Sequence, residues 1–246
     1  MKRRTMLVAG GVFAGSLLGG GAAHAAVQWP MFEWERQRGF FFPGEGIMQP
    51  PPLAVYGDGE AYADAAAHEY LPAKDAKALQ THAVQVLHKR ANVRRDPLGD
   101  PPRDAPSDRV RVRTPDGEYL TAHLDGWGDG DEAGNFPDAL HELHDHVQVI
   151  RKKVRAGGEP WGVDAVLLVA VHLDFEPDGY ARWPSWVQLP AVHADRRYGE
   201  TKLDGAKARR VRRDLPRSGE RVWPFYRTPA GAFLAANWRY RLPHEW

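Results

Sequence analysis

Leu53-Ala54-Val55-Tyr56-Gly57-Asp58-Gly59-Glu60-Ala61-Tyr62-Ala63 carries the clearest structural signal in the chain. Two short runs rich in apolar and aromatic residues flank Gly57-Asp58-Gly59. Glycines beside an aspartate supply the positive φ angles of a tight turn, so the stretch predicts a β-hairpin. Downstream, Leu79, Ala83, Val86 and Leu87 recur on one stripe, which predicts an amphipathic helix from about Ala73 to Ala91. The same order then repeats. Val110 and Val112 alternate with Arg109, Arg111 and Arg113, the period of a half-buried strand. Pro115-Asp116-Gly117 turns the chain, and Glu118 to Leu124 returns as the partner strand. Leu140, Leu143, Val147, Ile150 and Val154 step by three and four, predicting a second helix over about Pro137 to Arg155.

Further along, Val163 to Phe175 is apolar enough for a central strand, and Trp183 to Leu189 is an irregular apolar segment. Leu203, Ala206, Val211 and Leu215 predict a short helix over Lys202 to Leu215. Val222 to Tyr226 and Phe233 to Leu242 then flank the turn Thr228-Pro229-Ala230-Gly231. Upstream, residues 26–52 carry Trp29, Trp34, Phe40-Phe41-Phe42 and Pro50-Pro51-Pro52, and are expected to be an irregular aromatic arm docked on the body. Strands mixed with helices that do not alternate one by one imply α+β. The expected architecture is β-hairpins and a mixed or antiparallel sheet packed with two or three helices. The expected division is an export signal at 1–25, the arm at 26–52 and a single α+β domain at 53–246.

The chain of 246 residues is 43% hydrophobic and 26% charged, values of a soluble globular protein with a packed core. Its N-terminus reads as an address. Lys2, Arg3 and Arg4 precede an apolar, Gly- and Ala-rich stretch from Met6 to Ala23, and Ala23-His24-Ala25 offers the small residues a signal peptidase needs. Arg3-Arg4 followed by Thr5-Met6-Leu7 resembles a twin-arginine export signal, which predicts a secreted or extracytoplasmic protein. Cleavage after Ala25 would leave 30 Lys and Arg against 32 Asp and Glu, too balanced for an overall field that attracts nucleic acid. No later apolar run reaches the length of a membrane span. Zero cysteines exclude disulfides, thiol nucleophiles and cysteine-ligated metals.

Few residue constellations point to chemistry. His141 and His144 lie one turn apart on the second helix and are the candidate metal ligands, with His172 or His193 as conceivable third donors. The pattern is not H-E-x-x-H, because position 145 is Asp, and solvated histidines on an outer helix face are the competing reading. Gly126 to Asp131 interleaves Gly and Asp, but counted from Asp125 two of the positions that bind calcium in an EF-hand are Trp127 and Phe136. The mature chain holds Ser107, Ser185 and Ser218, none within G-x-S-x-G. Asp174 and Glu176, at the end of the apolar strand, are the candidate carboxylate pair. Residues 195–221 carry ten Lys and Arg against five Asp and Glu, and Arg209, Arg210, Arg212 and Arg213 are candidate contacts to an anionic polymer.

At Val55-Tyr56-Gly57-Asp58-Gly59, Gly99-Asp100-Pro101-Pro102-Arg103-Asp104-Ala105-Pro106 and Leu242-Pro243-His244-Glu245, the chain resembles an uncharacterised secreted protein family of high-GC Gram-positive bacteria. These motifs are a Y-G-D-G hairpin, a G-x-P-x-x-D-x-P loop and a C-terminal L-P-x-E. The resemblance spans most of residues 50–245 and implies kinship and export rather than a reaction, since it brings no catalytic residue. Many such proteins are lipoproteins, whereas this chain lacks the lipid-accepting cysteine. The expected function is therefore an exported cell-envelope protein acting as a non-enzymatic binding module. A secreted peptidase inhibitor and a His-dependent metal hydrolase are the alternatives. No cofactor is expected, and the expected partner is an anionic envelope polymer or another secreted protein.

Overall fold

The computed structural model describes residues 28–37, 43–94, 106–127, 135–191, 197–217 and 223–246. The first hairpin forms as expected from β2 (Leu53–Val55) and β3 (Glu60–Ala63), paired antiparallel with Val55 opposite Ala61. Gly59 has φ +94°, and a Cβ there would meet the Leu71 carbonyl oxygen at 2.9 Å, so the turn needs glycine for both conformation and space. β4 (Ala67–Tyr70) adds to β3, and α2 (Ala73–Leu87) follows where the apolar stripe predicts a helix. β5 (Ser107–Arg113) and β6 (Tyr119–Asp125) form the second hairpin, and α3 (Asp138–Gly157) the second long helix.

The hairpins join through a strand that the reading of residues 26–52 as an irregular arm did not foresee. β1 (Phe32–Gln37) pairs antiparallel with β2 on one side and β5 on the other. With β7 (Glu159–Pro160) this makes one antiparallel sheet of order β6-β5-β1-β2-β3-β4-β7. Within β1, Phe32 and Trp34 point to one face and Glu33 and Glu35 to the other, the period-two alternation of a strand. Phe32 and Trp34 join Leu79, Val86, Leu140, Leu143, Val147 and Val154 in the core under α2 and α3. The arm does hold a short helix, α1 (Glu45–Met48), whose Ile47 and Met48 pack on the second sheet.

That second sheet has order β10-β8-β12-β11-β9, antiparallel except for the parallel β11–β9 pair. β8 (Ala165–Leu173) is the expected central strand, flanked by β10 (Tyr198–Asp204) and β12 (Phe233–Tyr240). β9 (Ala181–Arg182) and β11 (Phe225–Arg227) complete it. The helix expected over Lys202 to Leu215 is shorter: α4 spans Gly205–Asp214, and its predicted first turn lies in β10. Tertiary pairing overrides local propensity here, because a seven-residue ladder from Tyr198↔Val171 to Asp204↔Ala165 satisfies backbone groups on an edge of β8. Even-numbered residues of β8 (Val166, Leu168, Ala170) pack with Trp238 and with Ala208, Val211 and Leu215 of the α4 region. Odd-numbered ones (Leu167, Val169, Val171) face the α1 side. The fold is thus α+β, with α2 and α3 on one sheet, α4 on the other, and the remaining faces turned toward a shared cleft. Among the described residues no helix is long and apolar enough to cross a membrane.

Candidate functional site

The charged face of β1 builds the site. Register places Glu33 opposite Arg111 and Glu35 opposite Arg109, so each carboxylate meets a guanidinium across the strands. Arg111 Nε lies 3.0 Å from Glu33 Oε2, its Nη2 also donates to that oxygen, and Arg109 Nη2 donates to Glu35 Oε1. From the second sheet, β10 contributes Glu200 and Lys202, and the end of β12 contributes Arg239 and Arg241. These walls enclose a cleft of about 460 Å³, with Trp29 on its rim and α1 at one end. A smaller hollow of about 170 Å³ continues past Gln37, Ser107 and His123.

The C-terminal turn at Pro243–Glu245 closes the floor. Leu242 is fully buried with Tyr56 and Tyr62 and anchors this turn. His244 Nε2 is 3.0 Å from Glu33 Oε1, and His244 Nδ1 is 2.7 Å from the Tyr56 hydroxyl. Phenol, imidazole and carboxylate thus lie in a buried row, hydrogen-bonded at the Tyr56 end and at ion-pair distance at the Glu33 end. Glu245 takes a two-pronged contact from Arg239 at 2.7 and 2.6 Å. Its backbone carbonyl accepts from Lys202 at 2.8 Å and from Arg241.

Burial and charge act against each other on these acids. For Glu33, burial alone would raise the pKa, but His244 and Arg111 overcome it and hold the carboxyl at about 2. For Glu35, burial prevails over Arg109, aided by the neighbouring Glu33 charge, and the pKa is raised. Burial also pushes the Tyr56 hydroxyl up, so this phenol stays protonated. Trp29 is 51% exposed, with Arg111 stacked 5.7 Å from its ring and His244 5.7 Å away. The cleft is therefore a wall of fixed donors and acceptors beside one aromatic plate.

The residues singled out from sequence lie elsewhere. His141 Nε2 donates to the Phe136 carbonyl at 2.9 Å. His144 sits edge-on to Trp127 at 4.9 Å and to Trp34 at 5.7 Å, so it is packed on the core and not a solvated ring. Among the described residues no three His, Asp or Glu converge as a metal site. His172, Asp174 and Glu176 are exposed around the end of β8. Arg209 and Arg212 both bind Asp164, and Arg213 binds Asp214; of the four α4 arginines, Arg210 alone lacks an ion partner among the described residues. Arg3, Arg4, Ala23, Ala25 and His193 lie outside the described residues, as does most of the Gly99 to Pro106 loop and of the Gly126 to Asp131 turn.

The Arg109-x-Arg111 face of β5 is visible in the sequence, but its partners Glu33 and Glu35, and His244 beyond Glu33, were not anticipated. The signal was present in Phe32-Glu33-Trp34-Glu35, an alternation of aromatic and acidic residues that reads as a strand. No protein-family model, curated protein or solved structure matches the chain.

Proposed function

We propose that the chain is an exported binding module of the cell envelope that seats a saccharide segment in the cleft between its two sheets. The observation that carries this reading is the pairing of charges along the cleft beside the half-exposed Trp29. Arg109, Arg111, Arg239 and Arg241 are each committed to a carboxylate, so a bare anion meets cations already neutralised. A polyhydroxylated chain suits such a wall, since each hydroxyl both donates and accepts, and an aromatic plate covers the apolar face of a sugar ring. The volume lies in the range of about 300–1,000 Å³ common for small-molecule sites. The export signal and the resemblance to secreted proteins support a location where glycans are the abundant polymer. The α4 arginines support an anionic-polymer contact less well, because Asp164 and Asp214 engage three of the four.

The test is calorimetric titration of the mature chain with neutral and anionic oligosaccharide fragments of bacterial envelopes. Binding is expected to weaken at least tenfold in Trp29→Ala, with an unchanged melting temperature, and to vary little with salt. Absence of binding to every fragment, or binding indifferent to Trp29, overturns the reading. Affinity that collapses with added salt points instead to the arginine helix.

A further inference from the structure

A second site lies on the opposite face of the first sheet, between the helices that cover it. His82 on α2 and His146 on α3 place their Nδ1 atoms 3.1 Å apart, with ring centroids at 5.4 Å and an interplanar angle of 26°. Both side chains are half-buried at the helix–helix seam. In the neutral pair one Nδ1–H donates to the lone pair of the other Nδ1; when that ring carries its proton on Nε2 instead, both Nδ1 lone pairs are free for a metal ion. At metal–nitrogen distances of about 2.0–2.1 Å, two donors so spaced subtend roughly 100° at the ion, between a square-planar cis pair and a tetrahedral one. The charge of Asp75, at the start of α2, reaches His146 and favours a cation there.

We propose that His82 and His146 form a two-imidazole clamp for a late first-row divalent ion, Cu²⁺ above all, that ties α2 to α3. Imidazole suits copper, nickel and zinc, and copper stands highest in the affinity order. Water completes the coordination, since among the described residues no third protein donor joins the pair. The clamp is independent of the cleft, from which α2 and α3 are separated by the sheet.

The experiment is titration of the untagged mature chain with Cu²⁺ and with Zn²⁺, followed by calorimetry, thermal melting and, for copper, electron paramagnetic resonance. One equivalent of copper is expected to bind through two imidazole nitrogens and to raise the melting temperature, an increase that chelator reverses. His82→Ala, His146→Ala and the milder His146→Gln should each weaken binding at least tenfold while melting near wild type in chelator. His141→Ala, on the same helix, should bind copper as wild type does. Copper binding that survives in the His82→Ala, His146→Ala double variant overturns the proposal. So does a wild-type chain that takes up no ion at millimolar copper.

Discussion

Glu33 shows how one side chain links both sheets. It belongs to the centre of the first sheet, yet its carboxylate is held by Arg111 from the next strand and by His244 from the C-terminal turn. Removing one member of a buried ion pair strands the others, at a cost of about 3–5 kcal/mol. Glu33→Gln should therefore lower the melting temperature sharply, whereas Glu118→Gln on an exposed turn should change it little. A second residue-scale contrast concerns the histidines. His144 packs between Trp34 and Trp127, so His144→Ala should cost about 1–3 kcal/mol, more than the near-neutral change a solvated ring would give. Trp238, buried in the second core with its indole nitrogen on the Leu215 carbonyl, should cost roughly 3–5 kcal/mol when truncated to Ala. Equilibrium denaturation of the four variants ranks them.

At the scale of elements, the β2–β3 turn and the C-terminal turn carry different burdens. Gly59→Val combines a disfavoured φ with a collision on the Leu71 carbonyl, and it should prevent accumulation of folded protein. Deleting residues 243–246 keeps every strand, but leaves Glu33 without His244 and Arg239 without Glu245. Such a chain should fold with reduced stability and lose the proposed saccharide binding, which circular dichroism and calorimetry distinguish. The two-hairpin plan was legible because glycine turns and apolar periods are local signals. β10 was not, since Lys202 to Leu215 has a helical apolar spacing and only the free edge of β8 turns its start into a strand. The cleft was half legible: the arginines of β5 stood out by alternation, but which carboxylates face them depends on a strand 74 to 78 residues away in sequence.

For the whole molecule, acid sensitivity follows from the cleft. Folding lowers the Glu33 pKa from 4.5 to about 2, so the ionised form is favoured in the native state. This contribution is fully present above about pH 4.5 and is lost as pH falls toward 2, an effect of about 3 kcal/mol. Glu245 shifts in the same direction, whereas Glu35, whose pKa is raised, stabilises most when protonated and opposes them. Denaturant midpoints measured from pH 6 to 2 should fall, and Glu33→Gln should flatten that fall. What the amino-acid sequence determined by itself is the α+β class, the turns and the core faces of the helices, because each is written in neighbouring residues. The expected export and secretion rest on the same kind of local reading, and export of an Arg3→Lys, Arg4→Lys variant tests the twin-arginine part. Only tertiary structure decided that Phe32–Gln37 is the strand joining two hairpins, and that Glu33, Arg111, His244 and Tyr56 form one chain of contacts. The physical reason is that β pairing and ion pairing are satisfied by whichever partner the packed sheets bring within about 3 Å, and sequence separation sets no limit on that.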